Sequence, residues 1–253
     1  MRYLFLVLIT VLLVTSCEEK EKKRILLDSS GKLNDVSVVI ENQMWEGRVG
    51  EAIRDVLAAP IYGLPQDEPI FIINQIPPSV FTGFITKNRT VLKIEAGKTA
   101  TILFDKNIYA QPQKVITVTG NTKDEIINLI KENASRIVET IKGIELLEKQ
   151  KIIKKSLYNT REIKDNLGLS INFPSAYRIT KTIAKKGDKF YWIKRDTKTG
   201  YVNILLYELP LKTIKRDTSL INQVIKIRDS IGKKYIGGPI DGSYTVSYTH
   251  LTL

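Results

Sequence analysis

The chain holds one cysteine, one histidine, two tryptophans and two methionines in 253 residues. A lone cysteine, Cys17, excludes an internal disulfide framework and any Cys-x-x-Cys metal or redox motif. A lone histidine, His250, leaves histidine-metal clusters and Ser-His nucleophile pairs without support. Gly47 and Gly50 lack the spacing of a phosphate loop. No internal repeat is present. Long apolar runs are scarce as well. The run from Leu4 to Val14 covers about 11 residues, roughly half of the ~20 that cross a bilayer as a helix.

That run is the first informative feature present. Arg2 precedes it, and its length and flanks predict a secretory signal over residues 1–16. It closes on Val14-Thr15-Ser16-Cys17, which resembles the bacterial lipobox: an aliphatic residue, two small residues and the cysteine. The resemblance implies that Cys17 is lipidated. Small residues admit the peptidase, the thiol takes a diacylglycerol, and each buried methylene adds ~0.8 kcal/mol of membrane affinity. A charged stretch from Glu18 to Arg24 follows, so residues 17–32 read as a solvated tether. The Glu18-Glu19 pair resembles export signals of some Bacteroidota lipoproteins. The expected location is the cell envelope, at the outer membrane.

At the other end, Val246 to Leu251 can be encoded by a string that matches a transposon end used in preparing sequencing libraries. Residues 246–253 are therefore expected to be an adaptor-derived tail, which includes His250. Lysine and arginine number 39 against 27 acidic residues, a formal charge of +12. Such a balance favours anionic partners. Export makes nucleic acid an unsuitable one, and leaves phospholipid or acidic glycan, or solvated lysine-rich helix faces.

Between the ends, the pattern predicts an α+β protein. Residues 33–120 read as a first α/β module. Val36, Val38 and Ile40 alternate as a strand, and Val49, Ala52, Ile53, Val56 and Leu57 share one helix face until Pro60. The apolar run 70–76 suggests a buried strand, Phe81, Phe84 and Ile85 a short helix, and residues 90–96, 99–105 and 114–119 three more strands. Thr122 and Glu125 have capping-box spacing. They open a long connecting helix over 121–158, about 50 Å at 1.5 Å per residue unless Gly143 breaks it. Residues 159–245 read as a second α+β module. Leu169, Ile171 and Phe173 alternate as a strand, and residues 189–210 form a hairpin over Asp196 to Gly200. A helix near 217–235 carries Leu220, Val224, Ile227 and Ile231 and lies across one face of an antiparallel sheet.

Few residues promise chemistry. Asp67 and Glu68 are adjacent in a proline-rich loop, with no spacing that predicts a carboxylate pair for glycoside hydrolysis. Asp124 and Glu125 suit an acidic helix N-terminus. Trp45, Glu46 and Arg48 precede a helix, and Trp192 lies in an aromatic strand. These four are the candidate ligand contacts, against packing roles for the same residues. No catalytic residue, metal ligand or cofactor is expected.

The stretches SSGKLNDVSVVIENQMWEGRVGEAIRDVLAAPIYGLPQDEPIFIINQIPPSVFTGF, LGLSINFPSAYRI, KFYWIKRDT and IRDSIGKKYIGGPIDGSY resemble an uncharacterised Bacteroidota lipoprotein family, a domain of unknown function, over nearly everything from Ser29 to Tyr244. That family is longer than this chain and brings no assigned activity. Residues 168–235 are weakly similar to the Mog1/PsbP-like arrangement, a fold of binding and assembly roles. The expected function is a membrane-anchored envelope lipoprotein that binds or scaffolds an envelope protein or glycan. The alternative is a carboxylate-dependent enzyme acting on envelope glycan or lipid.

Overall fold

Residues 36–40 are apolar on both sides of the chain, apart from Ser37, and all five are buried. A strand of that kind belongs inside a sheet. In the computed structural model, which describes residues 25–61, 67–185, 187–198, 200–238 and 240–244, it does. The first sheet has five strands: β1 (Asp35–Val39), β2 (Ile72–Ile76), β3 (Thr90–Ala96), β4 (Thr101–Lys106) and β5 (Lys114–Gly120). Their order is β2-β1-β3-β5-β4, parallel except for the antiparallel β4–β5 pair. The α+β reading holds, with this mixed sheet and a separate antiparallel one.

Helices cover one face of the first sheet. They are α1 (Asn42–Trp45), α2 (Arg48–Leu57), α3 (Lys123–Glu132) and α4 (Ala134–Lys154). The predicted stripe Val49, Ala52, Ile53 and Leu57 packs with Val36, Val38, Leu92, Ile94, Ile116 and Val118 in one contiguous core. Each of the valine, leucine and isoleucine side chains among these contributes ~1.5–3 kcal/mol on burial. Gly50 lies where α2 crosses the end of α1. A Cβ there would stand 1.8 Å from the Trp45 carbonyl oxygen, so only glycine allows this approach.

Several expectations are revised. The helical run is two helices, broken at Asn133 rather than Gly143. The Asn133 Nδ2 donates to the Leu129 carbonyl at 2.9 Å, and such local bonds compete with helix continuation. The second helix is also more than a connector, because Ile137 and Ile141 belong to the first core. Strand β2 is an edge strand, with Ile72 exposed, not a buried one. Residues 78–87 form two 3₁₀ turns in place of a short α-helix, and they cross the other sheet face, where Phe81 and Tyr109 cover Val39, Val91 and Val115.

A buried ion pair ties α4 to the sheet. Arg89 and Glu145 are 4% and 3% exposed. The guanidinium binds both carboxylate oxygens, at 2.8 and 2.9 Å, and donates to the Lys32 carbonyl at 2.8 Å. The Asn34 amide completes the shell on Glu145 at 2.8 Å. Every member is satisfied, which makes burial of the two charges tolerable.

The second sheet is an antiparallel meander of β6 (Arg178–Lys185), β7 (Asp188–Asp196) and β8 (Tyr201–Tyr207). The hairpin over 196–200 lies where expected, but β6 follows the predicted strand at 169–173, which has no ladder of its own. Helix α5 (Arg161–Leu167) packs on one face through Ile163 and Leu167. Helix α6 (Leu220–Tyr235) reaches the other face only through its last turns, at Ile231 and Tyr235. Leu220 and Val224 remain exposed. No helix among the described residues is long and apolar enough to cross a membrane. Cys17, residues 1–16 and the tail 246–253 lie outside the described residues.

Candidate functional site

Alternation along β7 sends Phe190, Trp192 and Lys194 to one face, and Tyr191, Ile193 and Arg195 to the other. The register with β8 sets Tyr207, Leu205 and Asn203 opposite the first three. Phe190 is buried under α6, its ring stacked on Tyr235 at 4.3 Å. Helix α6 ends there, so the sheet face beyond Phe190 has a different cover. Residues 236–238 and 240–244 fold back over it. Gly237 bridges to Tyr244, and the Gly238 amide donates to the Ser243 carbonyl at 2.8 Å. A Cβ on Gly238 would meet Ser243 Oγ at 2.1 Å and the Ser243 backbone carbon at 3.3 Å, so any larger residue here would displace the serine hydroxyl.

Between the fold-back and the sheet is a cavity of about 310 Å³, lined by Trp192, Lys194, Tyr201, Asn203, Ser243 and Tyr244 with Ile236 and two glycines. Three aromatic rings and three polar side chains share it. Trp192 Nε1 donates to Asn203 Oδ1 at 2.9 Å. This bond sets the amide's orientation and leaves its Nδ2 without a hydrogen-bond acceptor among the described residues. Lys194 Nζ lies 4.4 Å from the Tyr201 ring centroid and 3.3 Å from Asp196 Oδ1. Arg178 Nη2 donates to the other Asp196 oxygen at 2.6 Å. The Arg178 bond, and then the Lys194 bond, hold the Asp196 carboxyl below the usual carboxylate range. Asp196 is therefore an ionised acceptor at neutral pH. The Lys98 hydrogen bond lowers Glu95 in the same direction, and the Ser219 hydroxyl lowers Asp217. A general acid requires the opposite shift.

The structure separates the four candidate contacts. Trp192 lines this pocket. Trp45 packs against the first core, with the Arg54 guanidinium 4.7 Å above its ring and donating to its carbonyl at 3.1 Å. Arg48 pairs with Asp124 at 3.0 Å, both about 70% exposed. Glu46 caps the C-terminus of α1. Asp67 and Glu68 are exposed, and neither lines a cavity described here. Thr122 and Glu125 form the expected capping box. Sequence reasoning singled out Trp192 but missed Tyr201, Asn203, Ser243 and Tyr244. Their only signal was the hairpin register, and the fold-back leaves no periodic trace. Among the described residues, no three His, Cys, Asp or Glu side chains gather in a metal-binding group.

Residues 29–154 match the family model described as Domain of unknown function (DUF8532), and residues 156–252 the one described as Domain of unknown function (DUF4837). Both halves match uncharacterised families. The two matches meet at residue 155, the C-cap of α4. No curated protein and no solved structure matches the chain.

Proposed function

We propose that the chain is a lipid-anchored protein of the bacterial cell envelope that binds a glycan without transforming it. The pocket over Trp192 carries this reading. Aromatic faces take the apolar C–H faces of a sugar ring, while Asn203 and Lys194 offer donors to its hydroxyl or carboxylate groups. The anchor reading is supported by the run from Leu4 to Val14 and by Val14-Thr15-Ser16-Cys17. The resemblance to a Bacteroidota lipoprotein family agrees with the anchor, and the weak similarity to the Mog1/PsbP-like arrangement with a binding role. Among the described residues, the carboxyl groups displaced from the ordinary range, Glu95, Asp196 and Asp217, are all lowered, which supports binding over the enzyme alternative.

Calorimetric titration of the full chain with soluble peptidoglycan fragments and acidic oligosaccharides tests the binding. Tyr201 is 63% exposed, so Tyr201→Ala leaves the core intact. Together with Asn203→Leu it is expected to weaken binding by tenfold or more, about 1.4 kcal/mol. Unchanged affinity in the double variant, or no saccharide bound by the parent, overturns the glycan reading. For the anchor, Cys17→Ser should abolish labelling by a fatty-acid probe and release the protein from the membrane fraction.

A further inference from the structure

The register of β4 and β5 sets Lys106 directly opposite Lys114. Like charges in such a pair repel. Neither ammonium has an ion-pair partner among the described residues. Burial, and then Lys106, hold the Lys114 ammonium below the ordinary lysine range. The two lysines line a groove of about 450 Å³ between the β4–β5 end and helix α4.

The helix side of that groove carries Glu139 and Thr140 at one end and is apolar from Gly143 to Leu147. Gly143 lies within α4, and a Cβ built there meets no atom within 4 Å. Its backbone is not left-handed. Neither packing nor conformation requires glycine, although glycine is the weakest helix former after proline. One turn on, Leu147 lines the same groove and is 66% exposed, beside buried Ile144. Glu139, one turn before Gly143, also lines it and has no ion pair among the described residues.

The groove is held open by rigid parts. Gln113 is buried, its Oε1 accepting from the Tyr109 amide at 2.8 Å and its Nε2 donating to the Thr86 and Asn88 carbonyls at 2.7 and 2.8 Å. Those bonds fix the loop that joins Lys106 to Lys114. The Arg89–Glu145 pair fixes α4 two residues beyond Gly143.

We propose that this groove binds the anionic head of a single-chain amphiphile, its phosphate or carboxylate between Lys106 and Lys114 and its hydrocarbon chain over Gly143, Ile144 and Leu147. Two unpaired cations beside an open apolar channel are complementary to that chemistry and to neither a neutral lipid nor a bare ion. The site is on the first sheet and stands independently of the Trp192 pocket. The source is a free amphiphile or a lipid in a bilayer. The Gln111 amide donates to the Leu27 carbonyl at 2.9 Å, so the chain enters the fold next to Pro112 on the groove wall. The bilayer source alone rests on the anchor at Cys17.

The test is calorimetric titration of the full chain with dodecyl phosphate below its micelle-forming concentration. Saturable binding is expected. Lys106→Gln with Lys114→Gln should weaken it about tenfold or more, two charge-assisted contacts being lost. Gly143→Leu should block it, Leu147→Gln should weaken it, and Glu139→Gln should strengthen it, with circular dichroism unchanged in each. Dodecanol and inorganic phosphate should bind far more weakly than dodecyl phosphate. Absent saturation, or the same affinity in the double-lysine and Gly143→Leu variants as in the parent, overturns the proposal. Co-sedimentation with phosphatidylcholine vesicles carrying lysophosphatidylglycerol, a single-chain anionic lipid, that falls in the same variants assigns the bilayer source. Soluble binding without co-sedimentation assigns the free one.

Discussion

The five-stranded sheet keeps its α-helices on one face above one large continuous core, with only a small cluster under the 3₁₀ turns on the other, while the three-stranded sheet divides a smaller core between its two faces. The first arrangement joins β1, α2, β3, β5, α3 and α4 through shared neighbours, so damage at one point spreads. The second rests on two small groups, one around Ile163 and Tyr191 and one around Phe190 and Tyr235. A cavity opens where the second of them stops. The difference teaches where open cavities come from in this chain: from the places where a helix ends or lacks a side chain, not from the centre of either core.

The largest expected effect is on the buried ion pair. Arg89→Ala takes the guanidinium away from the buried Glu145 carboxylate and leaves it the Asn34 amide alone, and should cost ~3–5 kcal/mol. In urea unfolding followed by hydrogen exchange, protection of the first sheet should fall while that of β7 stays. Equal loss in both would show one cooperative unit and erase the comparison.

Core truncation comes next. Ile53→Ala removes a fully buried side chain from the large core and should cost ~2–5 kcal/mol. Ile163→Ala removes an equally buried one from a small cluster, whose neighbours can collapse further, so the loss should lie near the low end of that range. Chemical denaturation of both variants gives the ratio. A larger loss at Ile163 would reverse the ranking of the two cores.

Gly143→Ala should stabilise the protein by ~0.5–1 kcal/mol, through helix propensity and with no clash. Thermal unfolding measures it, and a loss would mean that the groove wall is tighter than described. The smallest effect is expected at Arg48→Ala. Its partner Asp124 is also largely exposed, so the pair should contribute under ~0.5 kcal/mol and vanish at high salt.

Much of the fold was legible locally. The α2 stripe follows from a 3.6-residue period, the capping box from a three-residue spacing, and the β7–β8 turn from two apolar runs around Asp196–Gly200. The misses share a cause. Leu169, Ile171 and Phe173 alternate as a strand would, yet alternation says nothing about whether a neighbour is there to bond. The run 70–76 is apolar enough for a central strand, and its place at the sheet edge depends on which strands crowd β1.

By itself, the sequence determined the local periodicities, the caps, the charge excess and the signature around Cys17, because each depends on residues within a turn or two of one another. Only the tertiary structure decided that Arg89 meets Glu145, 56 positions away, that Lys106 faces Lys114, and that Trp192 shares a cavity with Tyr244. Those juxtapositions depend on strand order, register and the point at which a helix ends. Such choices are settled by the packing of the whole chain, and a period of two or of 3.6 residues carries no record of them.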